Sequence, residues 1–275
     1  MSSGRLRAHA PWEMAVYGLE KALKAFVIVF LLLPAVLVIV LSFSNDSNLA
    51  FPPTTWGLGQ YEALFNSDYW IGAVGMSFVI SVPTALLCAV VGVPAALALE
   101  RSRIRGKGPL WALGVAPLVL PGVAYAVALY TFYIDARLIG TIPGVVLAQS
   151  MLAMPFVIII VAAGLRRIPR ELELVAMSLG ASTMRATWGI TLRLLAPSIA
   201  ASTLLAFMVT FDEAVLVTFL GGGEIITLPK ATYDSVRDGL DPVITAIASL
   251  LMLFTGALML LTTRLRGDGE QPWGS

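Results

Sequence analysis

The sequence predicts an all-α integral membrane protein with six transmembrane helices, and three observations carry that prediction. Hydrophobic residues make up 58% of the 275-residue chain, charged residues only 13%, and the mean hydropathy is +0.86, a balance that excludes a soluble domain. Six apolar stretches reach the roughly 20 residues a helix needs to cross a bilayer. The basic residues gather between alternate stretches. A net charge of +1 argues against a nucleic-acid partner.

Taken in order, a tail at residues 1–24 leads into a first span near 25–43, where the transmembrane domain (25–265) begins. Lys21 and Lys24 precede this span as they would a secretory leader, but the apolar run is too long for a leader core and no small-residue cleavage site follows. The next five spans lie near 73–99, 109–133, 143–165, 195–220 and 243–263, with a short tail at 266–275. Pro83, Pro94, Pro117, Pro121 and Pro155 sit inside or at the edges of spans, each removing a backbone donor. Simple kinking and a pathway lined by broken helices are both consistent with them. The loop at 44–71 carries Trp56 and Trp70, suited to a membrane interface. The loop at 221–242 opens with three glycines and turns into a short helix after Pro229, and Asp241-Pro242 starts the last span. Cys88 is the single cysteine, so no intrachain disulfide forms. The single histidine, His9, lies in the tail, and no metal or catalytic site is expected.

Arg5, Arg7, Lys21 and Lys24 precede span one; Arg101, Arg103, Arg105 and Lys107 separate spans two and three. Arg166, Arg167, Arg170, Arg185 and Arg193 separate spans four and five, and Arg264 and Arg266 follow span six. Fifteen of the eighteen Lys and Arg thus share one side, leaving Arg137, Lys230 and Arg237 on the other. The positive-inside rule then places both termini and the loop at 166–194 in the cytoplasm.

That loop contains ELELVAMSLGASTMRATWGITLRLLAP, a polar segment between two apolar runs. Pro169 suits a first helical turn, Glu171 and Glu173 complement a helix N-terminus, Gly180 suits the position after a helix end, and Ser182 or Thr183 can cap a second helix. The pattern predicts two short helices joined at a glycine, a surface for a soluble partner. Leu172, Val175 and Leu179 recur at helical spacing, a stripe that packs either on such a partner or on the chain's own spans.

Asp212 and Glu213 fall inside the fifth span, about 22–24 Å along from Pro197 at 1.5 Å per residue. A carboxylate there costs at least about 2.5 kcal/mol on insertion scales, so it faces an aqueous cavity or a partner. Three roles fit: an anionic lining for a cationic solute, a tie to a neighbouring helix or subunit, and a proton relay. Tyr125, Tyr130 and Tyr133 in span three offer π faces to an amine, or pack as ordinary aromatics.

The loop resembles the "EAA" signature (E-A-A-x-x-x-G, then I-x-L-P) of the membrane subunits of bacterial ABC importers. Aligned on Gly180, Leu174, Val175 and Ala176 occupy the E-A-A positions, Ala181 follows the glycine, and Ile190 and Leu192 fill the apolar tail. Leu174 replaces the glutamate, with Glu173 one residue early, and Arg193 replaces the first proline, with Pro197 following. Docking at this loop should therefore rest on shape and apolar contact at Leu172, Val175 and Leu179 rather than on that charge. The stretch FMVTFDEAVLVTFLGGGEIITLPKATYDSVRDGLDPVITAIASLL is similar to permeases of the spermidine/putrescine type.

The resemblance implies a non-enzymatic permease subunit in the bacterial cytoplasmic (inner) membrane that moves a small cation, a polyamine first and aminoethylphosphonate or an opine next. It implies a cytoplasmic ATPase dimer that holds the ATP and Mg, a second and different permease, and an extracytoplasmic solute-binding protein. The chain has no phosphate-binding Gly-Lys motif of its own. An ion- or proton-coupled carrier would use Asp212 or Glu213 but leave the loop without a task. An intramembrane enzyme lacks a nucleophile or His near the pair, and a purely structural subunit leaves the buried charge unexplained.

Overall fold

The computed structural model describes residues 11–102, 106–239 and 241–266, with side chains over 17–102, 106–239 and 241–257. Arg5, Arg7, His9, Arg103, Arg105 and the end of the C-terminal tail lie outside the described residues, as do the side chains of Arg264 and Arg266. Every regular element within the described residues is helical: α1 (Pro11–Ser42), α2 (Gly59–Phe65), α3 (Asp68–Arg101), α4 (Lys107–Val115), α5 (Gly122–Asp135), α6 (Ile142–Arg166), α7 (Glu171–Ser178), α8 (Thr183–Ala186), α9 (Leu192–Phe211), α10 (Val215–Leu220), α11 (Leu228–Asp238) and α12 (Val243–Arg266). Among the described residues four helical stretches are long and apolar enough to cross a membrane: Leu19–Ser42, Asp68–Arg101, Ile142–Arg166 and Thr183–Phe211. A fifth exists if the bent pair Lys107–Leu118 and Gly122–Asp135 is one span. The sixth expected span coincides with α12, whose described apolar part, Val243–Ala257, is shorter.

The chain divides into two compact units, 1–66 with 240–275, and 67–239. In the first, Tyr61 of α2 joins three helices, its hydroxyl lying 2.8 Å from Ser42 Oγ of α1 and 2.7 Å from Ser249 Oγ of α12. The loop after α1 closes on itself through a bridge between Ser44 and Trp56. Within it the Asp46 carboxylate accepts from the Thr54 hydroxyl and amide (2.6 and 2.7 Å) and from the Thr55 hydroxyl (2.6 Å). The Thr54 hydroxyl, then that of Thr55, holds this carboxyl well below its usual range. Asp241 Oδ1 accepts from the Val243 amide at 3.0 Å and so opens α12. α1 exposes apolar side chains around much of its circumference, from Phe26 to Leu33, as a lipid-facing or partner-facing helix does.

The second unit is built on α3, α6 and α9. Their shared core mixes alanines (Ala85, Ala96, Ala153, Ala162, Ala206) with Val157, Val161, Leu165 and Leu195. Lipid tails are as apolar as these side chains, so close backbone approach, rather than water exclusion, drives the packing. Gly164 shows how close: a Cβ there would lie 2.6 Å from Ser198 Oγ and 3.0 Å from Leu195 Cδ2. Gly164→Leu should therefore lower the thermal unfolding midpoint in detergent through overpacking of about 1–3 kcal/mol. Gly75→Leu, at a position with nothing within 4 Å, should leave it unchanged. Equal shifts would mean that α6 and α9 do not pack as described. Further along, α10 packs on α5, and Gly222 (φ +63°) meets Gly140 so closely that a Cβ on Gly222 would lie 2.7 Å from the Gly140 Cα. α11 is tied to α3 where the Leu228 amide donates to Ser77 Oγ at 2.8 Å.

Two spans expected to be continuous are broken. The stretch at 109–133 turns by 103° between Leu118 and Gly122. Pro117 lies in a 3-10 turn (Ala116–Leu118) and Pro121 precedes α5, so the chain has neither the donors nor the sterics to stay helical between them. The stretch at 195–220 ends as α9 at Phe211 and restarts as α10 at Val215, with the acidic pair in the gap. α1 begins at Pro11, so the described part of the N-terminal tail is helical. Trp70 also departs from expectation. It is only 3% exposed and faces the core, whereas Trp56 is well exposed.

Candidate functional site

The segment after α6 folds from its own capping chemistry. α7 begins after Pro169 with Glu171 and Glu173 in its first turn, where they face the positive end of the helix dipole. It ends in a Schellman motif: the Ala181 amide donates to the Ala176 carbonyl (3.0 Å) and the Gly180 amide to the Met177 carbonyl (3.0 Å), with Gly180 at φ +92°. Ser182 then caps α8 by accepting from the Arg185 amide at 3.3 Å. Of the two residues expected to serve there, Ser182 is the cap and Thr183 the first helical residue.

The second helix differs from expectation. α8 does not stop but passes through a π-helical turn (Thr187–Thr191) into α9, so that 183–211 runs as one continuous helix. No proline lies between Ala186 and Pro197, Gly189 is taken up within the π turn, and Pro197 is accommodated inside α9. A displacement of α8 is therefore carried directly into a long apolar helix.

The stripe at Leu172, Val175 and Leu179 lies on the outside of the chain, with Leu179 83% exposed. Leu174, Met177, Met184 and Trp188 are exposed beside it, while Ala176 and Ala181 are half-buried. These exposed apolar side chains lie on a segment flanked by arginines.

Glu173, which the sequence presents as a helix N-terminal charge and as a displaced signature residue, also has a defined tertiary place. It accepts a hydrogen bond from Thr191 Oγ1 and lies 3.9 Å from Arg101 Nε at the end of α3. One residue earlier on α3, Glu100 Oε1 accepts from Arg166 Nε and Nη2 at 3.0 and 2.6 Å, fixing α3 to the end of α6. Neither pairing has a signature in local sequence, because the partners come from separate helices.

At the second region, Asp212 closes α9 as its last capping residue and is exposed. Glu213 Oε1 accepts from the Leu216 amide at 3.0 Å, satisfying a free donor of the first turn of α10. The two carboxylates thus stand at a helix break rather than along a continuous helix. Tyr125 is buried on α5 and donates to the Ala148 carbonyl at 3.2 Å; Tyr133 donates to the Gly144 carbonyl at 3.2 Å. Both hydroxyls are used in tying α5 to α6. Tyr130 is 41% exposed.

Comparison with known proteins places these features in context. A family profile described as "Binding-protein-dependent transport system inner membrane component" matches residues 18–266. The chain is 30% identical over 269 residues to the putrescine transport system permease protein PotI of Escherichia coli, covering 95% of this chain and 93% of that protein. It is 35% identical over 217 residues to the molybdenum transport system permease protein ModB of Mycobacterium bovis, covering 74% and 81%. In fold it is similar to a chain of a bacterial ABC transporter involved in the import of the acidic polysaccharide alginate (TM-score 0.74, 15% identity, 94% and 99% covered).

Proposed function

This chain belongs to the family of binding-protein-dependent transport system inner membrane components, and from that premise we propose that it moves a polyamine, putrescine first, across the bacterial cytoplasmic membrane. It is a multi-pass membrane protein and a permease subunit of an ABC importer. The polyamine reading is supported by the likeness to PotI over nearly the whole of both chains and by the carboxylates at the α9–α10 break. An anionic residue at membrane depth costs energy unless it meets water or a cation, and a diamine supplies the cation.

In this reading the chain crosses the membrane six times with both termini in the cytoplasm, as its basic residues require. Asp212 and Glu213 line the pathway, with Tyr125 and Tyr130 near it. Leu172, Leu174, Val175, Ala176, Leu179, Gly180 and Ala181 form the surface that meets a cytoplasmic ATPase dimer. That dimer binds the ATP and Mg and performs the hydrolysis, so the chain itself holds no cofactor. A second, different permease completes the pathway, and an extracytoplasmic binding protein delivers the solute.

One observation carries the coupling role: a helix pair capped on both sides of its glycine junction presents bare apolar side chains at Leu172, Val175 and Leu179 and continues as helix into α9. A rigid element of this kind passes displacement to a span with little loss. Purification in mild detergent should recover an ATPase and a second permease with this chain. Uptake of labelled putrescine by the purified assembly should need ATP and be competed by spermidine but not by molybdate. Transport by this chain alone, driven by an ion gradient, would overturn the reading; competition by molybdate would overturn the substrate.

A further inference from the structure

Glu173 points inward from α7, its side chain 12% exposed, toward the buried hydroxyl of Thr191 in the π turn and toward Arg101 of α3. Arg101 is similarly covered, at 19%, and its Nη2 donates to the Ile168 carbonyl of the α6–α7 linker at 2.9 Å. Its Nε–H is buried and has no hydrogen-bond acceptor among the described residues. One carboxylate and one guanidinium therefore touch α3, the linker, α7 and the turn into α9.

The geometry of this pair is unfinished. At 3.9 Å the Nε to Oε1 separation is an ion pair but not a hydrogen bond. The neighbouring Arg166–Glu100 pair shows the closed form, with two guanidinium nitrogens on one oxygen at 3.0 and 2.6 Å. A buried donor without an acceptor is costly, and a shift of α7 by about 1 Å toward α3 would give it a charge-assisted bond. The residue position matters as well. Leu174, one step on and about 100° around the helix, is more than half exposed, so a carboxylate there would face outward instead.

We infer that Arg101 and Glu173 form a state-dependent latch, open in this conformation and closed in another, which passes a displacement of α7 to α3 while the Thr191 hydroxyl passes it to α9. The inference rests on the reading of α7 and α8 as the surface that an ATPase moves. It adds a route for that motion that does not run through Gly180.

The test uses Glu173→Gln, Arg101→Met and the charge-exchanged double variant Arg101→Glu/Glu173→Arg. In the assembled importer the single variants should keep the ATPase bound and hydrolysing, while putrescine moved per ATP falls roughly fivefold or more, the low end of ordinary coupling factors. The exchanged pair should recover most of the loss. In the isolated full-length chain, where the latch is open, each single variant loses only its own contacts, to the Ile168 carbonyl or the Thr191 hydroxyl, so the stability losses of Arg101→Met and Glu173→Gln should add in the combined variant. Unaltered putrescine per ATP in the single variants overturns the latch. So does a failure of the exchanged pair to recover an assembled importer, or a large non-additive loss of stability in the isolated chain, which marks a permanent structural tie. A wild-type preparation with no ATPase attached would sink the proposed function instead, and the unfolding comparison would still decide whether the pair is open or tied.

Discussion

Replacing Gly180 with valine should reduce coupled uptake by more than tenfold while the chain still reaches the membrane. The residue sits at φ +92° between two Schellman hydrogen bonds, and nothing lies within 4 Å of the Cβ a substitution would add. The penalty is therefore one of backbone rather than of space. A β-branched residue held in the left-handed region costs about 1–3 kcal/mol, and the chain escapes that cost by swinging this residue to negative φ. The swing breaks both carbonyl caps and rotates α7 against α8, moving Leu172, Val175 and Leu179 away from a common docking face. About 1.4 kcal/mol lost from a coupling step is already tenfold. Asparagine tolerates left-handed geometry better than alanine or valine, so uptake by vesicles should fall in the order Gly, Asn, Ala, Val. Valine with wild-type uptake would show that the angle between α7 and α8 does not matter for transport.

Neutralising both carboxylates at the α9–α10 break, Asp212→Asn with Glu213→Gln, should weaken putrescine uptake by about an order of magnitude without lowering the amount of protein in the membrane. The substitutions are chosen so that the local fold survives. A glutamine oxygen can still accept from the Leu216 amide, and Asp212 contributes through a charge on an exposed side chain at the end of α9. Glu213→Ala separates the two roles, because it removes the cap along with the charge and should cost about 1 kcal/mol of stability in addition. Uptake unaffected by the double neutral variant, together with a destabilised Glu213→Ala, would mean that the pair serves only to end one helix and start the next.

Much of this could be read without coordinates wherever the chemistry is local. Capping is decided within a few residues, so the sequence places Gly180, Asp241 and Pro229 at helix ends and narrows the second cap to Ser182 or Thr183, of which the fold uses Ser182. The same local rules misjudged continuity. Pro117 and Pro121 were noted as donors lost, yet whether a neighbour covers the freed carbonyls or the chain turns by 103° depends on packing. The stretch at 195–220 reads from sequence as a single span, and only the Glu213 carboxylate folding onto the Leu216 amide, between the end of α9 and the start of α10, reveals a break. Trp70 has the residue type of an interface anchor and is buried all the same, since the face of α3 it lies on is fixed by α3's neighbours.

By itself the sequence determined the composition that requires a membrane, the side on which its positive charge collects, the caps of the helix pair and the resemblance to ABC importer permeases. Those properties sum over many residues or close within one turn, and a one-dimensional pattern suffices for them. Tertiary structure alone decided that Leu172, Val175 and Leu179 face outward, that α8 runs on into α9, that the Tyr125 hydroxyl is spent on a neighbouring helix, and that Glu173 lies 3.9 Å from Arg101. Each of these is a meeting, or a failure to meet, between segments far apart in the chain, and its energy depends on distance and burial that no spacing rule encodes.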